Sequence, residues 1–137
     1  MLFIVSAGND GIELDKENAI FPQSYDLDNV ISVADMRCDG LLSKTSNFGV
    51  ETIDIAAPGT DVSGKHMNET VSGTSFASAN VTGIAAAIFC MNPTELAPQS
   101  LKKILVNSVT KANIEVKSHG YVNLSNAMKA VDYKEAK

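Results

Sequence analysis

Short apolar runs punctuated by glycine and proline organise the first half of the chain. Residues 2–5 (LFIV) are continuously apolar and are stopped by Ser-Ala-Gly-Asn, the pattern of a strand covered on both faces and closed by a turn. Residues 30–34 (VISVA) and 52–57 (TIDIAA, closed by Pro58-Gly59) predict two more short strands. Between these runs, residues 10–18 are polar and acidic, and residues 37–49 are rich in Ser, Asn, Asp and Gly. Both stretches predict loops. Residues 69–72 predict a further short strand leading into Gly73.

The second half changes period. From Gly73 to Met91 the chain is rich in alanine and apolar on nearly every face, which predicts a helix inside a larger core. Residues 98–107 predict an amphipathic helix with Leu101, Ile104 and Leu105 inward and Lys102 and Lys103 outward. Asn123 then caps a last helix over residues 124–131. Buried strands followed by helices predict an α/β protein with a mostly parallel sheet. No internal repeat or dividing linker is visible.

Composition narrows the function classes. The 137 residues are 45% hydrophobic and 20% charged, with a formal charge of −5. That length suits one domain, and the acidic balance argues against nucleic acid as a partner. The longest greasy stretch, residues 81–91, is too short to cross a bilayer, so no membrane span is expected. The N-terminus lacks the basic segment of a signal peptide. Cys38 and Cys90 have no C-x-x-C spacing and are expected as two free thiols. His66 and His119 have no ligand-spaced partners, and the acidic loop of residues 10–17 does not match a calcium loop, so no metal or cofactor is implied.

Two local features could carry chemistry. Gly73-Thr74-Ser75-Phe76-Ala77 places a serine at the first turn of a helix, where unpaired N–H groups and the helix dipole favour negative charge. An ordinary serine or threonine cap reads the same way. Ser6-Ala7-Gly8-Asn9 places a side-chain amide at the carboxyl end of a buried strand, where ligands of parallel sheets collect; Gly-Asn-Asp-Gly is equally good turn chemistry. Gly59 to Lys65 spells G-x-x-x-x-G-K, but His66 stands where a phosphate loop needs Ser or Thr.

Together these blocks carry a resemblance. Ser6-Ala7-Gly8-Asn9, Ser46-Asn47-Phe48-Gly49, Ala57-Pro58-Gly59, Ser72-Gly73-Thr74-Ser75-Phe76-Ala77 and Gly120-Tyr121-Val122-Asn123 follow the order and spacing of the C-terminal half of the subtilisin-like serine protease domain. The resemblance covers residues 2 to about 131. It implies a partial subtilisin-like three-layer fold whose buried central helix carries the serine. Residues 1–133 would be the C-terminal part of the peptidase domain and residues 134–137 a charged tail.

By the same resemblance Ser75 is the nucleophile, and the Asn9 amide and Ser75 N–H form an oxyanion hole. The Ser6, Ala7 and Gly8 backbone lines the substrate pocket, with Asp10 near its base. Phe21-Pro22 matches a cis proline of the family. Ala79 and Asn80 depart from it, standing where the family usually has proline and often histidine. The triad acid and histidine precede the serine in this family, so their segments would lie before Leu2; His66 and His119 are expected as solvated loop histidines. The implied partners are a polypeptide substrate and the missing N-terminal half of the domain, without which the chain is expected to be inactive and to expose a hydrophobic strand edge. A secreted or secretory location is implied. The alternative is a catalytically inactive remnant that binds peptides or proteins.

Overall fold

A computed structural model describes residues 1–64, 68–91 and 96–135, with side chains described up to residue 131. Strands β1 (Phe3–Ser6), β2 (Val30–Met36) and β3 (Ile55–Pro58) are followed by helices α1 (Thr74–Met91) and α2 (Pro98–Asn107). The short strands β4 (Thr110–Lys111) and β5 (Gly120–Tyr121) and helix α3 (Leu124–Glu135) complete the chain. The sheet order is β1-β2-β3-β5-β4, parallel except for the β4–β5 pair.

Alternation along β2 shows why its sequence is apolar throughout. Ile31 and Val33 join Ile55 and Ala57 on the face packed by the helices, while Ala34, Met36 and Ala56 face the opposite layer. All three helices pack on one face through Ala77, Val81, Ala85 and Ile88 of α1, Leu101, Ile104 and Leu105 of α2, and Ala127 and Val131 of α3. The other face is covered by loops through Leu14, Ile53, Ile114 and Val116. The β1–β2 and β2–β3 crossovers contain no helix and supply much of that layer.

The elements fall close to expectation, with some differences, among them a last helix that runs to Glu135 rather than ending at residue 131. Each of the first three strands is displaced or extended by one to three residues at an end. Residues 69–72 form no strand; Val71 makes only an isolated bridge to Val62. The two-residue strands β4 and β5 are too short for any periodic signal. Lys102 turns inward rather than outward, its Nζ donating to the Leu27 carbonyl at 3.0 Å and lying 3.4 Å from Asp54. The physical reason is Asp54 itself, a buried carboxylate that needs a compensating charge. The Phe21–Pro22 bond is cis.

Helix α1 is buried along only one stripe. Ala79, Gly83, Ala86, Ala87 and Cys90 lie exposed, and β1 is an edge strand with Phe3 half exposed, so the strand edge expected from the resemblance is open, as is one face of α1. At 18 residues α1 is longer than the apolar run suggested, and by length and composition alone it could cross a membrane. Its stripe against the sheet is what a core helix of a globular protein shows. Both cysteines are free and exposed.

Candidate active site

The site is built where β1 ends and α1 begins. After Ser6 the chain passes through fully buried Ala7, whose N–H continues the ladder to the Val33 carbonyl at 2.9 Å, and then turns at Gly8 with φ +101°. A side chain there would be strained and would collide with the Asn47 amide, so the turn demands glycine. Asn9 is thereby presented at the carboxyl end of the sheet.

Across from it, Gly73 enters α1 with φ +148°, and a Cβ on it would stand 3.4 Å from Asn9 Oδ1. Asn9 Oδ1 accepts the Thr74 N–H at 2.9 Å and the Thr74 hydroxyl at 3.1 Å, capping one of the unpaired donors of the helix start from a distant strand. Thr74 Oγ1 in turn accepts the Gly8 N–H at 3.2 Å. Thr74 is fully buried, whereas Ser75 is exposed at the first turn. Among the described residues, neither the Ser75 N–H and hydroxyl nor the Asn9 Nδ2 has a protein partner. The acceptor end of the Asn9 amide is thus fixed by Thr74, leaving its donor end beside the helix N-terminus.

The sequence-derived candidates Ser6, Ala7, Gly8, Asn9 and Asp10 run from the end of β1 into the turn at Gly8, and bonds between Asn9 and Thr74 bring that turn to the start of α1, next to Ser75. Asp10 is not free: its Oδ2 accepts from Asn47 Nδ2 at 3.1 Å. His119 lies exposed in the loop before β5 with φ +47°, and His66 and Lys65 fall outside the described residues. No group of three or more His, Cys, Asp or Glu able to hold a metal occurs among the described residues.

Three supporting residues escaped the sequence reading. Thr74 and Asn47 were visible only as parts of motifs. Asn47, completely buried, bonds repeatedly to the turn that carries Asn9. Asp35, also completely buried at the carboxyl end of β2, accepts the Thr60 hydroxyl with both oxygens at 3.1 and 3.0 Å. Burial pushes its carboxyl above the ordinary range, opposed chiefly by the bond from Thr60. Gly59 fits between Asp35 and α1: a Cβ there would be 2.8 Å from Asp35 Oδ1, the Ala77 nitrogen and the Gly73 carbonyl.

A parallel α/β sheet that brings an exposed serine hydroxyl at a helix N-terminus near a side-chain amide at the adjoining strand end supplies the kinds of group that acyl transfer uses. Sequence comparison makes the class specific: the profile of the subtilase family matches residues 1–123, and the chain belongs to that family. It is 31% identical over 115 residues to an extracellular protease of Xanthomonas campestris pv. campestris, covering 77% of this chain and 19% of that protein. Alkaline protease 2 of Aspergillus fumigatus is 32% identical over 122 residues, covering 80% of this chain and 23% of that protein. The solved structure of the subtilase cytotoxin SubAB superposes with a TM-score of 0.79 at 28% identity, covering 96% of this chain and 49% of that one. The chain therefore spans about half of that solved chain and less than a quarter of these curated relatives.

Proposed function

We propose that this chain carries the nucleophile and oxyanion side of a serine endopeptidase site. The observation that carries the reading is the bonding of Asn9 Oδ1 to the start of α1, where, among the described residues, Asn9 Nδ2 and the Ser75 N–H have no protein partner and Ser75 is exposed. In the reaction, Ser75 Oγ attacks a peptide carbonyl as its proton passes to a base. The two donors hold the oxyanion; collapse expels the amine, which takes that proton, and water then releases the acyl group from Ser75.

The base and its acid partner belong to polypeptide that packs along the β1 edge and the open face of α1, outside residues 1–133. Residues 1–133 by themselves therefore hydrolyse peptides poorly. The Ser6–Gly8 backbone lines the pocket for the side chain before the scissile bond, and Asp10 biases it towards basic or polar groups. One relative is named an extracellular protease, which favours secretion. The chemistry of the site calls for no cofactor.

A fluorophosphonate probe tests the reading. The full-length protein is labelled at Ser75, Ser75→Ala is not, and the isolated 137-residue chain reacts only weakly. Absence of labelling in the full-length protein would favour a catalytically inactive, peptide-binding remnant instead.

A further inference from the structure

Asn47 makes more contacts to the active-site turn than any feature of its sequence foretells. Asn47 is completely buried, and both the amide nitrogen and the amide oxygen of its side chain bond to the segment from Ala7 to Ile12. Nδ2 donates to the Ala7 carbonyl and to Asp10 Oδ2, both at 3.1 Å. Oδ1 accepts the Asp10 N–H at 3.0 Å and the Ile12 N–H at 3.2 Å. Its backbone N–H adds a bond to the Gly8 carbonyl at 2.9 Å. The bonded groups lie on both sides of Asn9, so Asn47 spans the turn from Ala7 to Ile12, and among the described residues it has no hydrogen bond to Asn9 itself.

We propose that Asn47 is a positioning residue of the proposed peptidase site, fixing the turn so that the Asn9 amide stands at the oxyanion position. The proposal rests on the reading of Asn9 given above. Asn9 has two restraints: Thr74 holds the acceptor end of its amide, and Asn47 holds the backbone from which it projects. Without the second, the Gly8 hinge, with its positive φ, is free to swing the amide away from the developing charge. Asp10 then acts first as a partner of this clamp, since its carboxylate accepts the outward N–H of the Asn47 amide.

The test exploits donor and acceptor exchange in the full-length protein. Asn47→Asp keeps the acceptor for the Asp10 and Ile12 amides but replaces both donated bonds with repulsion against Asp10 and the Ala7 carbonyl. With two hydrogen bonds lost, these amides should exchange with solvent at least about tenfold faster while amides in α2 stay unchanged. Peptide hydrolysis should lose about tenfold or more in kcat with KM within about twofold, the signature of an interaction felt in the transition state.

The pair Asn47→Asp with Asp10→Asn restores a donor facing an acceptor at the residue 10 contact, though not at the Ala7 carbonyl, and should recover part of the local protection. Uniformly faster exchange across the whole chain, unchanged kcat in Asn47→Asp, or no recovery in the pair overturns the proposal. If Asn47→Asp does not fold, the pair is compared with Asp10→Asn alone; a pair that also fails to fold overturns it. A wild type that hydrolyses no peptide instead removes the peptidase reading, and the catalytic role of Asn47 with it, while the exchange pattern still reports whether Asn47 holds the turn.

Discussion

Replacing Asp35 by asparagine should stabilise the protein at neutral pH, although the acid is buried and hydrogen-bonded. Asp35 is completely inaccessible, and the Thr60 hydroxyl reaches both of its oxygens. The charged group bearing on it is Asp61, of the same sign, so no attraction offsets the loss of hydration; bonds from Thr60, Gly59 and Ser43 do so only in part. Burial wins, and the folded-state pKa lies above the unfolded value. A raised pKa means that this group favours the folded state at low pH, and that the advantage is lost as pH rises through the folded pKa.

One proton can make stability fall by at most about 1.4 kcal/mol per pH unit within that window. Asparagine keeps the shape and an acceptor for Thr60 but has no charge to desolvate. At pH 7.5 we expect Asp35→Asn to gain on the order of 1–2 kcal/mol, the scale of an incompletely compensated buried polar group. For a chain of this size that corresponds to about 3–7 °C in Tm. The assay is thermal unfolding followed by circular dichroism from pH 3.5 to 8. The gap should close as pH falls towards the unfolded carboxyl range and reach zero, or reverse slightly, below it. A variant less stable than wild type at pH 7.5, with a difference independent of pH, would refute the reasoning.

Other expectations follow from single contacts. Thr74→Val removes the acceptor for the Gly8 N–H and a donor to Asn9 while keeping the volume; urea unfolding should show a loss of about 1–3 kcal/mol. Gly59→Ala places a methyl 2.8 Å from two backbone atoms and Asp35 Oδ1, and the same measurement should show destabilisation of about 1–3 kcal/mol. Leu105→Ala empties a fully buried position in the helix–sheet core and should cost about 2–5 kcal/mol, read as a fall in the denaturant midpoint at constant slope.

What was legible in the sequence follows the range of the interaction that determines it. The helix over Pro98–Asn107 is set by local spacing and a proline at its first turn, and it was readable to the residue. The last helix was readable at its start, where the Asn126 N–H bonds to Asn123 Oδ1, but not at its end. Strands β4 and β5 exist only because they meet each other and β3, so nothing within their two residues announces them. Lys102 was assigned outward by helix period alone, whereas Asp54, distant in sequence, draws it in. The same distinction divides the site. Ser75 and Asn9 stood out as candidates because the proposed chemistry ties each residue type to a motif. Their supports did not: Asn47 reaches Ala7 across 40 positions, and Thr74 reaches Asn9 across 65. Asn47 was visible only as part of the Ser46-Asn47-Phe48-Gly49 block, and nothing local in that block announces that its buried side chain bonds to the turn carrying Asn9. Substituting the motif residues and substituting their supports should therefore fail differently, the first abolishing chemistry in an intact fold and the second leaving every reactive group present but misplaced.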